Sequence, residues 1–95
     1  MTDHYIEAKH LELVRKILNS YHHEFYIFGS RAKGTHQPLS DLDILSKSPL
    51  SKLQISQINE QFEESKIPYK VDLVIWDELD ELFRSKIQSD LKKIF

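Results

Sequence analysis

The chain contains no cysteine. A disulfide framework, a thiolate metal site and a thiol nucleophile are therefore excluded. Glycine is scarce at two residues, and proline contributes three, so nothing resembles a linker or a low-complexity stretch. No internal repeat is visible. No apolar run approaches the ~18–20 residues of a membrane span, and the first residues lack the pattern of a secretory signal, so a cytoplasmic setting is expected. Basic charge is not in excess either. The formal net charge is −2, which argues against a domain held on nucleic acid by bulk electrostatics. A small nucleotide carried by a metal ion stays compatible with that balance. What is present is 95 residues, enough for one domain spanning 1–95. At 40% hydrophobic and 29% charged residues, its composition is that of an ordinary globular chain with one modest core.

Hydrophobic spacing divides the chain into alternating elements. Ile6, His10, Leu13, Val14, Ile17, Leu18 and Tyr21 recur at three- and four-residue intervals and predict an amphipathic helix over 3–22, capped by Thr2 or Asp3. Phe25 to Phe28 is a short aromatic and β-branched run that stops at Gly29 and reads as a buried strand. Residues 31–40 carry Gly34 and Pro38 and read as a loop with room for one helical turn. Leu42 to Leu45 is a second strand. Ser48 and Pro49 offer a cap and a first-turn proline for a helix running to about Ser65, with Leu50, Leu53, Ile55, Ile58 and Phe62 on one face. Val71 to Trp76 is a third strand. Asp77 is the expected cap of a last helix, with Leu79, Leu82, Phe83 and Ile87 turned inward. Leu91 to Phe95 fits either a continuation of that helix or a short edge strand. The order αββαβα predicts an α/β (α+β) domain, with helices packed on a mixed sheet of three or four strands.

Aspartate is disfavoured inside strands, and a buried unpaired carboxylate is costly. Yet Asp43 lies within Leu42-Asp43-Ile44-Leu45, and Asp72 lies within Val71-Asp72-Leu73-Val74. Asp41, two residues before Asp43, points to the same face of an extended chain. If the second and third strands are parallel neighbours joined by the intervening helix, and the first runs antiparallel to the second, then Gly29, Ser30, Asp41, Asp43 and Asp72 meet at one edge of the sheet. Two carboxylates ~4 Å apart repel by about 4 kcal/mol at an effective dielectric of ~20. Such a cluster either shifts its pKa values or binds cations. All-oxygen ligation favours Mg²⁺ or Mn²⁺, whose shell is completed by water and phosphate. Gly29 permits close approach of a phosphate, Ser30 supplies donors, and Arg31 and Lys33 add positive charge.

Gly29-Ser30, ten intervening residues and Asp41-Leu42-Asp43 resemble the Gly-Ser-x10-Asp-x-Asp signature of the DNA polymerase β-like nucleotidyltransferases. The stretch from Phe28 to Gly34, followed by Ser40 to Asp43, is similar to their minimal prokaryotic members, and Val71-Asp72-Leu73-Val74 resembles the strand of the third carboxylate. Lys33 departs from the arginine common at that position. The resemblance covers nearly the whole chain. It implies the palm-like mixed sheet of that superfamily and a mechanism in which Asp41, Asp43 and Asp72 ligate Mg²⁺ and serve catalysis. Gly29, Ser30 and Arg31 would hold the phosphates of a nucleoside triphosphate, and a nucleoside monophosphate would pass to an acceptor hydroxyl. It further implies a neighbouring HEPN-type toxin as partner, silenced by AMP moved from ATP to one of its tyrosines. A non-catalytic antitoxin that masks the partner, and transfer to a small-molecule acceptor, are the competing readings.

Each part of the pattern has a plainer reading when taken alone. Asp-x-Asp is commonly a solvated loop or a helix cap, Gly-Ser is commonly a turn, and a strand-end aspartate such as Asp72 commonly pairs with a lysine. His10 reads as packed on the apolar face of the first helix and Trp76 as core. His22 and His23 follow the first helix as a loop. Glu60, Glu63 and Glu64 read as a solvated face. Homo- or hetero-oligomerisation through exposed apolar residues of the first or last helix stays open, since periodicity alone does not separate such a surface from core.

Overall fold

The computed structural model describes residues 6–95. The expected start of the first helix at residue 3, with Thr2 or Asp3 as its cap, lies outside the described residues. Helix α1 spans Ala8–Leu18 and ends in a 3-10 turn, Asn19–Tyr21. Strand β1 (Phe25–Phe28) is followed at once by a single helical turn, α2 (Ser30–Lys33). Strand β2 (Leu42–Ser46), helix α3 (Lys52–Glu64) and strand β3 (Val71–Ile75) form a crossover unit. A 3-10 turn (Trp76–Glu78), helix α4 (Glu81–Ile87), a further 3-10 turn (Gln88–Asp90) and strand β4 (Lys92–Lys93) complete the chain.

The four strands lie in the order β3-β2-β1-β4. β1 is antiparallel to both β2 and β4, whereas β2 and β3 are parallel. The mixed sheet expected from the element order is therefore present, and the terminal segment is its edge strand. Ile94 explains that outcome. It is fully buried, its N–H donates to the carbonyl of Phe25 at 3.1 Å, and its own carbonyl accepts from Arg15 Nε at 2.6 Å. A continued helix would forgo these contacts.

Alternation along the strands separates two cores. Ile27, Leu42 and Ile44 face α1 and α3, where they meet Val14, Leu18, Ile58 and Phe62. Phe28, Leu45 and Val74 face the other way, toward Ile87 of α4. That second face is covered over part of its area by one short helix, and this leaves room for a site on it.

Two expected helix starts are displaced. α3 opens at Lys52 rather than at Pro49. The Ser51 hydroxyl accepts from the Gln54 N–H at 3.1 Å, while the Gln54 side chain accepts from the Ser51 N–H at 3.0 Å. This reciprocal box satisfies two otherwise orphaned donors, which the Ser48-Pro49 pair does not offer. α4 is capped by Asp80, whose carboxylate accepts from the Phe83 N–H at 2.7 Å, and Asp77 sits in the preceding 3-10 turn. Leu82 is 81% exposed, in contrast to the inward orientation expected of it. Phe83, 38% exposed, turns inward with its ring edge to face against Phe28 at 6.2 Å, and Ile87, on the same helix face, is buried as expected. Leu53 of α3 likewise faces solvent.

Replacing the true cap should tell. Ser51→Ala is expected to lower stability by about 1 kcal/mol, the usual cost of a lost cap, whereas Ser48→Ala should change it by only a few tenths. Urea denaturation of the two variants checks the assignment.

Candidate active site

Gly29 follows β1 directly, at φ 74° and ψ −154°, a region that is essentially restricted to glycine. A second constraint acts on the same residue. A Cβ there would run into Oδ2 of Asp43, with the carboxylate carbon 3.3 Å away. The turn at Gly29 and the carboxylate of β2 are thus packed directly together, as the antiparallel pairing of Phe28 with Asp43 requires. Ser30 opens α2, and Gly34 closes it in the left-handed conformation, its N–H donating to the Ser30 carbonyl at 2.8 Å.

Parallel pairing sets Asp43 opposite Asp72. Alternation places both on the face of Leu45 and Val74, the face that α4 leaves partly open. Burial pushes the Asp43 carboxyl up from 3.8 to about 6, and the charges of Asp72 and then Asp41 add to that rise. The Lys70 ammonium lies 3.3 Å from Asp72 Oδ1, but the lysine side chain is 71% exposed, so solvent screens the pair and it offsets little of the repulsion. Asp41 is exposed in the loop just before β2. Among the described residues, no three carboxylate or imidazole side chains are drawn into a closed metal-binding group. The topology thus brings Asp43 and Asp72 side by side, with Asp41 standing at the open margin.

Arg31 is placed differently from a phosphate ligand at a mouth. It is buried, at 4% exposure. Its Nε and Nη2 donate to the Ser40 carbonyl at 3.2 and 3.1 Å, and Nη2 also donates to the Pro38 carbonyl at 3.1 Å. Its guanidinium lies 3.7 Å above the ring of Tyr69. One buried cation therefore ties α2, the loop leading to Asp41 and the segment leading to Asp72. Tyr69 in turn meets the buried His10 edge to face, its hydroxyl 3.4 Å from Nδ1. Tyr69 was not singled out by the sequence; its place three residues before Asp72, just after Pro68, was the available signal. Lys33 pairs with Asp90 at 3.4 Å. His10 is packed as expected. Trp76 is half-buried, with Lys47 Nζ 3.8 Å from its ring.

The donor set fits a hard divalent cation. Its oxygens are carboxylate, and burial followed by the neighbouring carboxylates makes ionised Asp43 costly, a cost that a bound cation would offset. Its open margin suits an ion that keeps water and phosphate in its shell.

Residues 12–95 match the Polymerase beta, Nucleotidyltransferase family. The chain is 38% identical over 87 residues to a probable protein adenylyltransferase, MntA, of Haemophilus influenzae, an alignment covering 87% of this chain and 76% of that protein. It also superimposes on a chain of a toxin–antitoxin crystal structure with AMP-PNP, with a TM-score of 0.72 and 21% identity, over 90% of this chain and 72% of the other. At that identity the likeness concerns the fold.

Asp43 makes stability pH-dependent in a definite direction. Its folded pKa lies above its unfolded value, so the folded state binds the proton more tightly, and stability falls as pH rises from about 4 through about 6. In chelator, Asp43→Asn should remove this fall and raise stability at pH 7.5 by about 1 kcal/mol, after allowance for solvent screening. Thermal melts from pH 4 to 8 test it, and equal slopes for both proteins would refute it. Arg31→Met should cost roughly 2–4 kcal/mol by urea denaturation, because the carbonyls of Pro38 and Ser40 lose a charged donor.

Proposed function

The chain belongs to the polymerase β nucleotidyltransferase family, and from that premise we propose that it moves AMP from ATP to a hydroxyl, most simply a tyrosine, of a HEPN-type toxin partner and so acts as its antitoxin. The observation that carries this reading is the in-register pair Asp43–Asp72 beside Gly29, on the uncovered part of one sheet face. The adenylyltransferase relative and the toxin–antitoxin structure support the choice of nucleotide and the kind of partner.

Asp41, Asp43 and Asp72 would hold Mg²⁺, with Mn²⁺ as a substitute. Held there, such a cation would supply charge neutralisation of the triphosphate and a lowered pKa of the acceptor hydroxyl. Gly29, lacking a Cβ, lets the β- and γ-phosphates approach the backbone, and the Ser30 hydroxyl donates to them. Asp72, at the outer strand, takes part in removing the acceptor proton. The acceptor oxygen attacks the α-phosphorus, the bond to the bridging oxygen breaks, and pyrophosphate leaves with the electron pair. The rate comes from positioning and from charge neutralisation. The buried Arg31 contributes by holding the three site segments together rather than by reaching phosphate. A phosphoryl charge placed on the toxin would repel its RNA, a sufficient reason for silencing.

Intact-mass spectrometry of the toxin after incubation with this protein, ATP and Mg²⁺ is expected to show added AMP. Asp43→Asn should reduce the rate at least 100-fold while the circular dichroism spectrum is retained. Millimolar Mg²⁺ should raise the melting temperature of the native chain and leave that of Asp43→Asn unmoved. A stable complex without added mass would replace transfer by stoichiometric masking.

A further inference from the structure

The sheet lays out the reaction from one side to the other. Gly29 and Ser30 directly follow β1, Asp43 lies on β2 and Asp72 lies on β3, in that lateral order. With the terminal phosphates on the β1 side, pyrophosphate departs there. In-line displacement then brings the attacking oxygen from the opposite side, across β3. β3 is an edge strand, and beside it lies a groove of about 400 Å³ walled by α3 through Asn59, Phe62 and Glu63 and by β3 through Val71, Asp72 and Leu73.

We propose that this groove is the acceptor subsite, and that it takes an extended peptide segment which pairs with the outer edge of β3 and carries the acceptor hydroxyl to Asp72. The proposal rests on the transferase reading above and names its acceptor side. The hydrogen-bonding pattern of the edge supports it. The Leu42 N–H donates to the Lys70 carbonyl at 2.8 Å. In a parallel ladder this turns the main-chain groups of Lys70 and Asp72 toward β2 and those of Val71 and Leu73 outward. A strand added there gains main-chain bonds at two positions, the usual mode of β-augmentation. The residue placed opposite Asp72 carries its side chain on the same face as Asp72, and hence beside the carboxylate pair. The apolar wall, with Phe62, Leu73 and the buried Ile67, suits the neighbouring side chains of such a strand. Charge selects a peptide over nucleic acid. Glu63 and Asp72 line the groove against Lys70 alone, and the whole chain carries −2, so a phosphodiester backbone is repelled.

The probe is a synthetic octapeptide of alternating valine and threonine around one tyrosine, with a lysine at each end. Amide hydrogen exchange of the full chain at millimolar peptide should slow at least tenfold at Val71 and Leu73 and stay unchanged at Ile27 in the sheet centre. Asn59→Trp fills the groove from an exposed helix position, and Glu63→Lys reverses its charge; each should abolish most of that protection. With ATP and Mg²⁺, the KM for the peptide should rise at least tenfold in both variants, while affinity for a fluorescent ATP analogue stays within twofold. Absence of protection at Val71 and Leu73, an unchanged peptide KM in both variants, or equal protection by a single-stranded oligonucleotide would each overturn the assignment. Protection without AMP transfer to any acceptor would sustain the groove and sink the transferase reading. Transfer without protection would do the reverse.

Discussion

The parallel pairing of β2 with β3, in the register that sets Asp43 against Asp72, is the constraint from which the site follows. Register in a sheet has a period of two, so a slip of one residue would send one carboxylate into the core beside Ile44 or Leu73. The alternating apolar residues forbid that slip: Leu42, Ile44, Val71 and Leu73 belong to the core under α1 and α3. Burial of that core therefore holds two like charges side by side on the opposite face. Burial of the Asp43 carboxyl on that face raises it to about 6, and the charge of Asp72 beside it adds to the rise. The repulsion is stored by the hydrophobic effect and is available to be relieved by a cation.

Gly29 is the second half of the same arrangement. Antiparallel pairing delivers the end of β1 against Asp43, and only a residue without a side chain fits both the backbone angles and the space. Arg31 then fixes what the strands alone leave loose. The ten-residue connection between Ser30 and Asp41 has little regular structure beyond one helical turn, and the buried guanidinium anchors it through the carbonyls of Pro38 and Ser40. Stacking on Tyr69 extends that anchor to the segment before Asp72. The family resemblance implies a phosphate ligand at this position. In three dimensions its guanidinium is buried and occupied by the carbonyls of Pro38 and Ser40, because the loop folds back over α2.

Much of the chain was legible before its structure. Phe25 to Phe28, bounded by Gly29, has the bounds expected of it, and the Asp-bearing strands are where an aspartate inside an apolar run placed them. The displaced helix starts have one kind of cause. Ser48-Pro49 and Asp77 are sound helix starts by composition, but Ser51 with Gln54 and Asp80 with the Phe83 N–H make real capping bonds, and several good caps within a few residues compete on terms that composition does not rank. Leu82 faces solvent for a different reason: the short α4 meets the sheet through Phe83 and Ile87, four residues apart on one face, and Leu82 lies beside that stripe.

Local pattern by itself determined the elements, their order and the identity of the chemical groups, because periodicity, glycine and the Gly-Ser-x10-Asp-x-Asp spacing are properties of neighbours along the chain. Tertiary structure alone decided that Asp43 meets Asp72 while Asp41 stands at the margin, that Arg31 is a buried clamp, that the last residues form an edge strand, and that β3 ends the sheet with a groove beside it. Each of these depends on which segments distant in sequence share a surface, and that is settled by the packing of the whole core rather than by any one stretch of residues.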